Sequence, residues 1–486
     1  MRRSTVLLVG VGLLVAGARI PTEALTTTNT PACPADALAL AGPRADRPVY
    51  RVAIDVQILQ RRVVGLVTVR FTPDLSIDRL VFRLWANRPA VGAPANRETV
   101  GAVTVNGNPT ASSLGDPTTL VVALSAPLAA GQSVDAAVPF ELALVGWKGD
   151  RVSLTGSGLN SAVRLGSFFP ILPWEPRRGW ILDAPIRDRT ETSTTPTASF
   201  VTTVTVPQGL TVFATGQGVT DTKNTVPAPG VALDDPTKAT FSFAARSVRD
   251  LAVSVGRFRV AEGQAMAPDP VRVVVGVQTS LADDPAAYVR RVVSALEAHA
   301  HRFGPYPWPE YSLALTPDLK GGIEYPMHVM QGPNSIGRST PHEVGHMWFY
   351  SLVGNDQATD PWLDEGLATW AEVRSEGTLG AFLQKVVPPD GKGRLGEPMS
   401  YWDDHKAAYY RSVYVQGTQA LAALGTPQEV DCALRAYVAA NAFGIAHPSD
   451  LLNALTEQFP NIAGPVLARF GVRAPDLGRR RLARLL

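Results

Sequence analysis

Cysteine is nearly missing from this chain of 486 residues: only Cys33 and Cys432 occur, so at most one intrachain disulfide can form. Neither adjoins the N-terminal apolar run, which argues against a lipid-anchored cysteine there. Charge is sparse too. Charged residues make up 18% of the chain and the formal net charge is +2, a balance that implies no nucleic-acid or polyanion partner. The basic tail Arg479-Arg480-Arg481 with Arg484 reads as a solvated helix end. No internal repeat is present. The run from Ser4 to Ala18 is short of the roughly 20 apolar residues a membrane span needs. Arg2 and Arg3 precede it, and Ala16-Gly17-Ala18 offers a small-residue cleavage site, so residues 1–18 read as a signal peptide. A secreted or extracytoplasmic protein is expected. Membrane attachment would follow only if the signal stayed uncleaved.

What the sequence does contain is concentrated in its second half. His342, Glu343 and His346 form an H-E-x-x-H motif, and Glu365 follows nineteen positions after the second histidine. On a helix, residues four apart share a face, so both imidazoles can reach one ion. Two histidines and one glutamate leave a fourth position open, the arrangement of a catalytic zinc site, with Glu343 placed to act as general base. A competing reading exists. Thr340 and Glu343 also satisfy the [ST]-x-x-[DE] capping box, with Pro341 as first helical residue and Gly354 just past the end. The downstream context favours the metal. A second helix starts at Asp360-Pro361, and Glu365 lies among Trp362, Leu363, Leu367 and Trp370, where an unpaired carboxylate would be costly. Glu372, seven residues on, is read as a surface charge, with a role in orienting a histidine as the alternative.

Together these residues resemble the M1 family of gluzincin aminopeptidases, which carries Glu365 within a W-L-D-E-G-L-A context like that of residues 362–368. Gly321-Gly322-Ile323-Glu324-Tyr325-Pro326 is similar to the family's exopeptidase motif, and Val413-Tyr414-Val415-Gln416-Gly417 to its V-Y-E-K-G segment. The likeness runs from about Pro48 to near the C-terminus. It implies one Zn2+ held by His342, His346 and Glu365, with Glu343 as base and Tyr414 as donor to the oxyanion. It also implies substrate binding by Gly321, Gly322 and Glu324, with Glu324 taking the free α-amino group of a peptide. Three positions depart from the family pattern. Ile323 and Tyr325 replace the usual Met and Asn, and Gln416 stands in the glutamate-lysine segment. Tyr409 and Tyr410 compete with Tyr414. A zinc endopeptidase on the same scaffold and a catalytically silent binding module are the alternatives from other classes.

The fold expected is multi-domain α+β. Short alternating runs separated by turn residues, such as Tyr50-Val52-Ile54-Val56-Ile58, predict an antiparallel β-rich domain over 48–262. The resemblance makes it saddle-like. A Gly/Ala/Pro/Asp-rich break at 261–270 then opens a mainly helical, thermolysin-like domain over 263–486. Residues 19–47 read as a linker. The early end of the chain after Tyr414 leaves out the large helical C-terminal domain of many relatives, and a more open cleft is expected from that. His299, His301, His328, His405 and His447 are expected to be structural or solvent-exposed. Cys33 and Cys432 either pair or stand as a tether thiol and a buried helical thiol.

Overall fold

A computed structural model describes residues 33–89, 97–145, 150–186, 194–219, 227–232 and 235–473. The signal-peptide reading, residues 19–32 of the linker and the basic tail lie outside these residues. No helix among the described residues is long and apolar enough to cross a membrane.

The first half is β-rich, as expected. Strand Val49–Gln57 pairs antiparallel with Arg62–Phe71, and Arg62–Phe71 pairs with Val134–Ala143. Alternation explains the register: Val52, Ile54 and Val56 are buried opposite Val67, Gly65 and Val63. One pairing is parallel, between Val49–Gln57 and Ala198–Pro207, and it stacks Tyr50 on Phe200 with ring centroids 4.7 Å apart. Among the described residues nine strands join this sheet, beside smaller sheets of four and three strands.

The second half is built on a five-stranded mixed sheet. Its order is Phe258–Met266, Pro270–Gln278, Glu310–Leu315, His328–Gln331 and Gly322–Tyr325. The Gly322–Tyr325 strand, which carries the exopeptidase-like motif, is therefore an edge. Here the expected boundary is corrected. Residues 261–270 are not a break but strand and hairpin, since Phe258–Met266 pairs along its length with Pro270–Gln278. That strand is an edge with mostly exposed side chains, so the apolar alternation that marks a strand is missing from it. The last strand of the first half's sheets, Ala252–Gly256, ends just before it.

Helix α1, Pro285–Phe303, is capped by Asp284, whose carboxylate accepts from the Ala286 and Ala287 amides. Helices α2, Ser339–Gly345, and α3, Trp362–Glu376, follow. The expected linker is also corrected in its described part. The Ala41 amide donates to the Ala439 carbonyl at 2.8 Å, and buried Ala35 and partly buried Leu40 pack on the core. Apolar residues in a Thr/Pro/Ala-rich stretch let it dock rather than hang free. Both cysteines are disulfide-bonded, so the reading of two separate thiols does not hold.

Candidate active site

Helix α2 begins two residues earlier than the capping reading requires. Thr340 lies inside it, with its hydroxyl accepting from Gln331 Nε2 at 3.0 Å, so Thr340 and Glu343 form no capping box. The helix also stops early, with His346 at its C-terminal boundary rather than running on to Gly354. Beyond that the chain opens into wider turns, in which the Ser351 amide donates to the His346 carbonyl and that of Leu352 to Met347. Glu343 is thereby free of structural duty. It is buried, and one of its oxygens has no hydrogen-bond partner.

Helix α3 packs against α2 and brings Glu365 to the two histidines. His342 Nε2 lies 3.1 Å from His346 Nε2 and 3.1 Å from Glu365 Oε2, and His346 Nε2 lies 3.4 Å from the same oxygen. A tetrahedral zinc at roughly 2.0–2.1 Å from each donor needs donors about 3.3 Å apart. The three residues fit such an ion. The charge of the nest agrees. Burial alone would lower the His342 pKa, but the Glu365 and Glu372 carboxylates beside it push it up to about 10. His346 rises as well, against its burial, beside the Asp364 and Glu324 carboxylates. Glu365 opposes its own desolvation and falls well below the usual carboxylate range, held by both histidines. A site that draws protons onto two buried imidazoles has negative charge to spare for a cation.

Behind each histidine stands a carboxylate. Asp364 Oδ1 is 2.6 Å from His346 Nδ1, and its other oxygen accepts from Gln357 Nε2 at 2.7 Å. Glu372 Oε2 is 3.5 Å from His342 Nδ1, and Arg338 Nε donates to its other oxygen at 2.6 Å. The surface-charge reading of Glu372 is thus overturned: it is only 2% exposed and faces the site. Asp364 was not anticipated, although its place directly before Glu365 on the same helix was a usable signal.

The remaining groups converge from other elements. Tyr414 Oη donates to Glu365 Oε1 at 2.5 Å, and its ring stacks on His342 at 5.5 Å. The competitors have other partners: Tyr410 Oη accepts from Arg338 Nη2 at 2.8 Å, and Tyr409 packs edge-on against Tyr414. A Cβ on Gly417 would stand 2.9 Å from the Gly366 Cα, so these two glycines let the Tyr414 segment approach α3 backbone to backbone. Gln416 bridges loop backbone instead of facing the site, accepting from the Gly393 amide and donating to the Gly391 carbonyl. Glu324 is 3% exposed, has one unpartnered oxygen, and lies within 4.8 Å of ligand atoms on His346 and Asp364. Gly322 leaves no room for a side chain because the Glu343 carboxylate would stand 2.4 Å from its Cβ. The Gly321 carbonyl is taken by the Gly332 amide.

Of the other histidines, His299 is buried with Nε2 2.9 Å from the Pro341 carbonyl, and His328 is buried between Ser254 and Ser312. His405 meets the Tyr401 carbonyl, His447 meets Glu175, and His301 is exposed.

Residues 290–469 match the family model described as Peptidase family M1 domain. This segment is an M1 peptidase domain. All three metal-ligand candidates, Glu324 and Tyr414 fall inside the M1 domain. Human aminopeptidase B is 28% identical over 189 residues, 33% of this chain and 29% of its own length. Leukotriene A-4 hydrolase of Xenopus laevis is 34% identical over 84 residues, 16% of this chain and 14% of its own. The chain therefore spans less than a third of the curated relatives it matches. Among solved structures, the M1 zinc metallopeptidase of Deinococcus radiodurans superposes with a TM-score of 0.65 at 19% identity, covering 90% of this chain and 97% of that one. That likeness extends the fold of the M1 domain's neighbours to the β-rich half as well.

Proposed function

We propose that the chain is a zinc-dependent aminopeptidase that removes the first residue of peptides with a free N-terminus. The observation that carries this is one small buried volume holding a three-donor metal nest, an unpartnered Glu343 and the buried Glu324. Zinc held by His342, His346 and Glu365 would supply Lewis-acid polarisation of the scissile carbonyl and would acidify water. The chain's own residues do the rest. Burial pushes the Glu343 carboxyl up to about 8, near neutrality, so that as carboxylate it accepts a proton from water and as acid it returns that proton to the leaving amine. Burial and the neighbouring Glu365 raise Tyr414 well above its ordinary value, which keeps its hydroxyl a donor for the developing oxyanion. Glu324 binds the substrate ammonium and so measures one residue from the peptide end. Gly322 cedes to the Glu343 carboxylate the space a side chain would take, and Gly321 and Gly322 together present backbone to the bound peptide.

Export is part of the same reading, supported by the N-terminal sequence and by the two disulfide-bonded cysteines, since such bonds persist in oxidising compartments. N-terminal sequencing of the extracytoplasmic protein should begin at Arg19. For the activity, matched fluorogenic peptides with free and acetylated N-termini are the test. Cleavage of the free peptide alone supports the proposal. Equal cleavage of both would leave an endopeptidase, and metal binding without turnover would leave a binding module.

A further inference from the structure

Glu324 and Tyr325 are neighbours on the edge strand, so their side chains leave on opposite faces. Glu324 faces the metal nest, whereas Tyr325 is fully buried against the β-rich half. There Arg151 Nη1 donates to Tyr325 Oη at 3.2 Å, with the guanidinium carbon 5.7 Å from the ring centroid. Tyr325 Oη lies 3.1 Å from Ser167 Oγ, which in turn donates to Asp250 Oδ2 at 2.7 Å. The polarity of the chain is therefore set: Arg151 gives to Tyr325, Tyr325 to Ser167, and Ser167 to Asp250. Burial pushes the Tyr325 phenol up to about 12, so its proton stays in place to complete the relay.

The receiving surface is shaped for this ring. A Cβ on Gly166 would stand 2.4 Å from the Tyr325 hydroxyl, so a glycine forms the floor on which that oxygen rests. Arg151 is itself fixed from behind: its amide donates to Asp150 Oδ1 at 2.6 Å, and Asp150 is paired with Arg88. The guanidinium also feels Glu324. Burial would lower the Arg151 pKa, but Tyr325 and Glu324 outweigh that and raise it.

We infer that Arg151, acting through Tyr325, is a positioning residue for the amine-binding Glu324, so that the ruler of the M1 domain is set from the β-rich half. This rests on the aminopeptidase reading and deepens it. It also assigns a purpose to a departure from the family pattern: the tyrosine after Glu324 anchors the strand across the interface instead of lining the substrate subsite.

The test compares wild type, R151M, R151K and Y325F, each zinc-loaded with metal content measured, on matched free and N-acetylated fluorogenic peptides. In R151M, KM for the free peptide should rise about tenfold, the loss of a buried charged hydrogen bond. The free-to-acetylated selectivity should fall with it, at unchanged zinc content. R151K should recover part of the selectivity. Y325F removes one oxygen, keeps the ring, and should reproduce the effect in smaller degree; it carries the test if R151M fails to fold. In the double variant R151M/Y325F the losses should not add, because both act through one bond. Unchanged selectivity in Y325F, or equal loss on both peptides, would overturn the inference while leaving a selective wild type intact. A wild type that cleaves both peptides alike fails the aminopeptidase reading first, and the inference falls with it because there is no ruler to set.

Discussion

The metal nest and the edge strand that carries Glu324 sit side by side, yet they are assembled in opposite ways. Every donor of the nest, and each carboxylate behind it, comes from α2, the residue that closes it and α3, a stretch of 38 residues from Ser339 to Glu376. The edge strand is held by the other half of the molecule, through Arg151 and Ser167 on Tyr325. Just upstream, Arg164 Nη1 donates to Thr316 Oγ1, the Pro317 carbonyl and Asp318 Oδ1 at 2.8–3.1 Å. Bond-making power is a local property of two helices here. In the proposed function, recognition of where a peptide begins belongs to the interface between halves.

The sharpest way to isolate the local side is Glu343→Gln. It leaves the donors untouched and should lower kcat by about 10²–10⁴-fold, the usual worth of a positioned acid–base group. Measured zinc content should stay at wild-type level; loss of zinc instead would mean that Glu343 belongs to the nest. Next in size is Glu324→Gln. It should cost about 10–100-fold in kcat/KM on the free peptide, the range for one charged hydrogen bond, with little change on any residual acetylated-peptide cleavage. Equal losses on both substrates would erase the division between chemistry and ruler.

Asp364→Asn and Glu372→Gln probe the nest from behind. Each should weaken zinc affinity about 10–100-fold, read by competition with a chelator. Asp364 is expected to cost the more, because its contact with His346 is shorter and more deeply buried.

A smaller effect should come from a second link between the halves. His447 Nε2 lies 2.7 Å from Glu175 Oε1, and the hydrogen bond to Glu175 raises the His447 pKa against its burial. Glu175 is lowered, its desolvation outweighed by His447 and Arg178. The His447 contribution is full below its unfolded pKa and fades as pH rises through its folded value. The Glu175 contribution is full above its own unfolded pKa and fades as pH falls through its folded value. The two overlap in mildly acidic solution. His447→Gln should therefore destabilise by about 1 kcal/mol near pH 5.5, after discounting for solvent screening, and by less at pH 8.5. Denaturant melts at the two values check this; a cost independent of pH would assign His447 to packing alone.

The same local-versus-distributed contrast governs what the sequence reveals. His342, Glu343 and His346 declare themselves because a helix turns fixed spacing into fixed geometry. Glu365 declares itself because a carboxylate among tryptophans needs a partner. Asp364 and Glu372 were half visible, since helical phase places them near the histidines but not which nitrogen each would meet. Arg151 was invisible: nothing local distinguishes an arginine that crosses an interface from one in solvent, and 174 positions separate it from Tyr325. The early end of α2, the edge strand beginning at Phe258 and the docked segment around Ala41 were missed as well. The Phe258 strand pairs with its hairpin neighbour but carries no apolar rhythm, the end of α2 is made by local backbone turns, and the Ala41 segment finds its partner in distant Ala439.

The contact between Gly366 and Gly417 has a consequence for anyone who would re-engineer this site. Where two elements meet through backbone, there is no rotamer to adjust and no side chain to trim. The hydroxyl of Tyr414 and the carboxylate of Glu365 are thus registered as parts of one rigid casting. Any attempt to retune the site by moving one of them must move both, and a methyl group at Gly417 is a wedge that separates them.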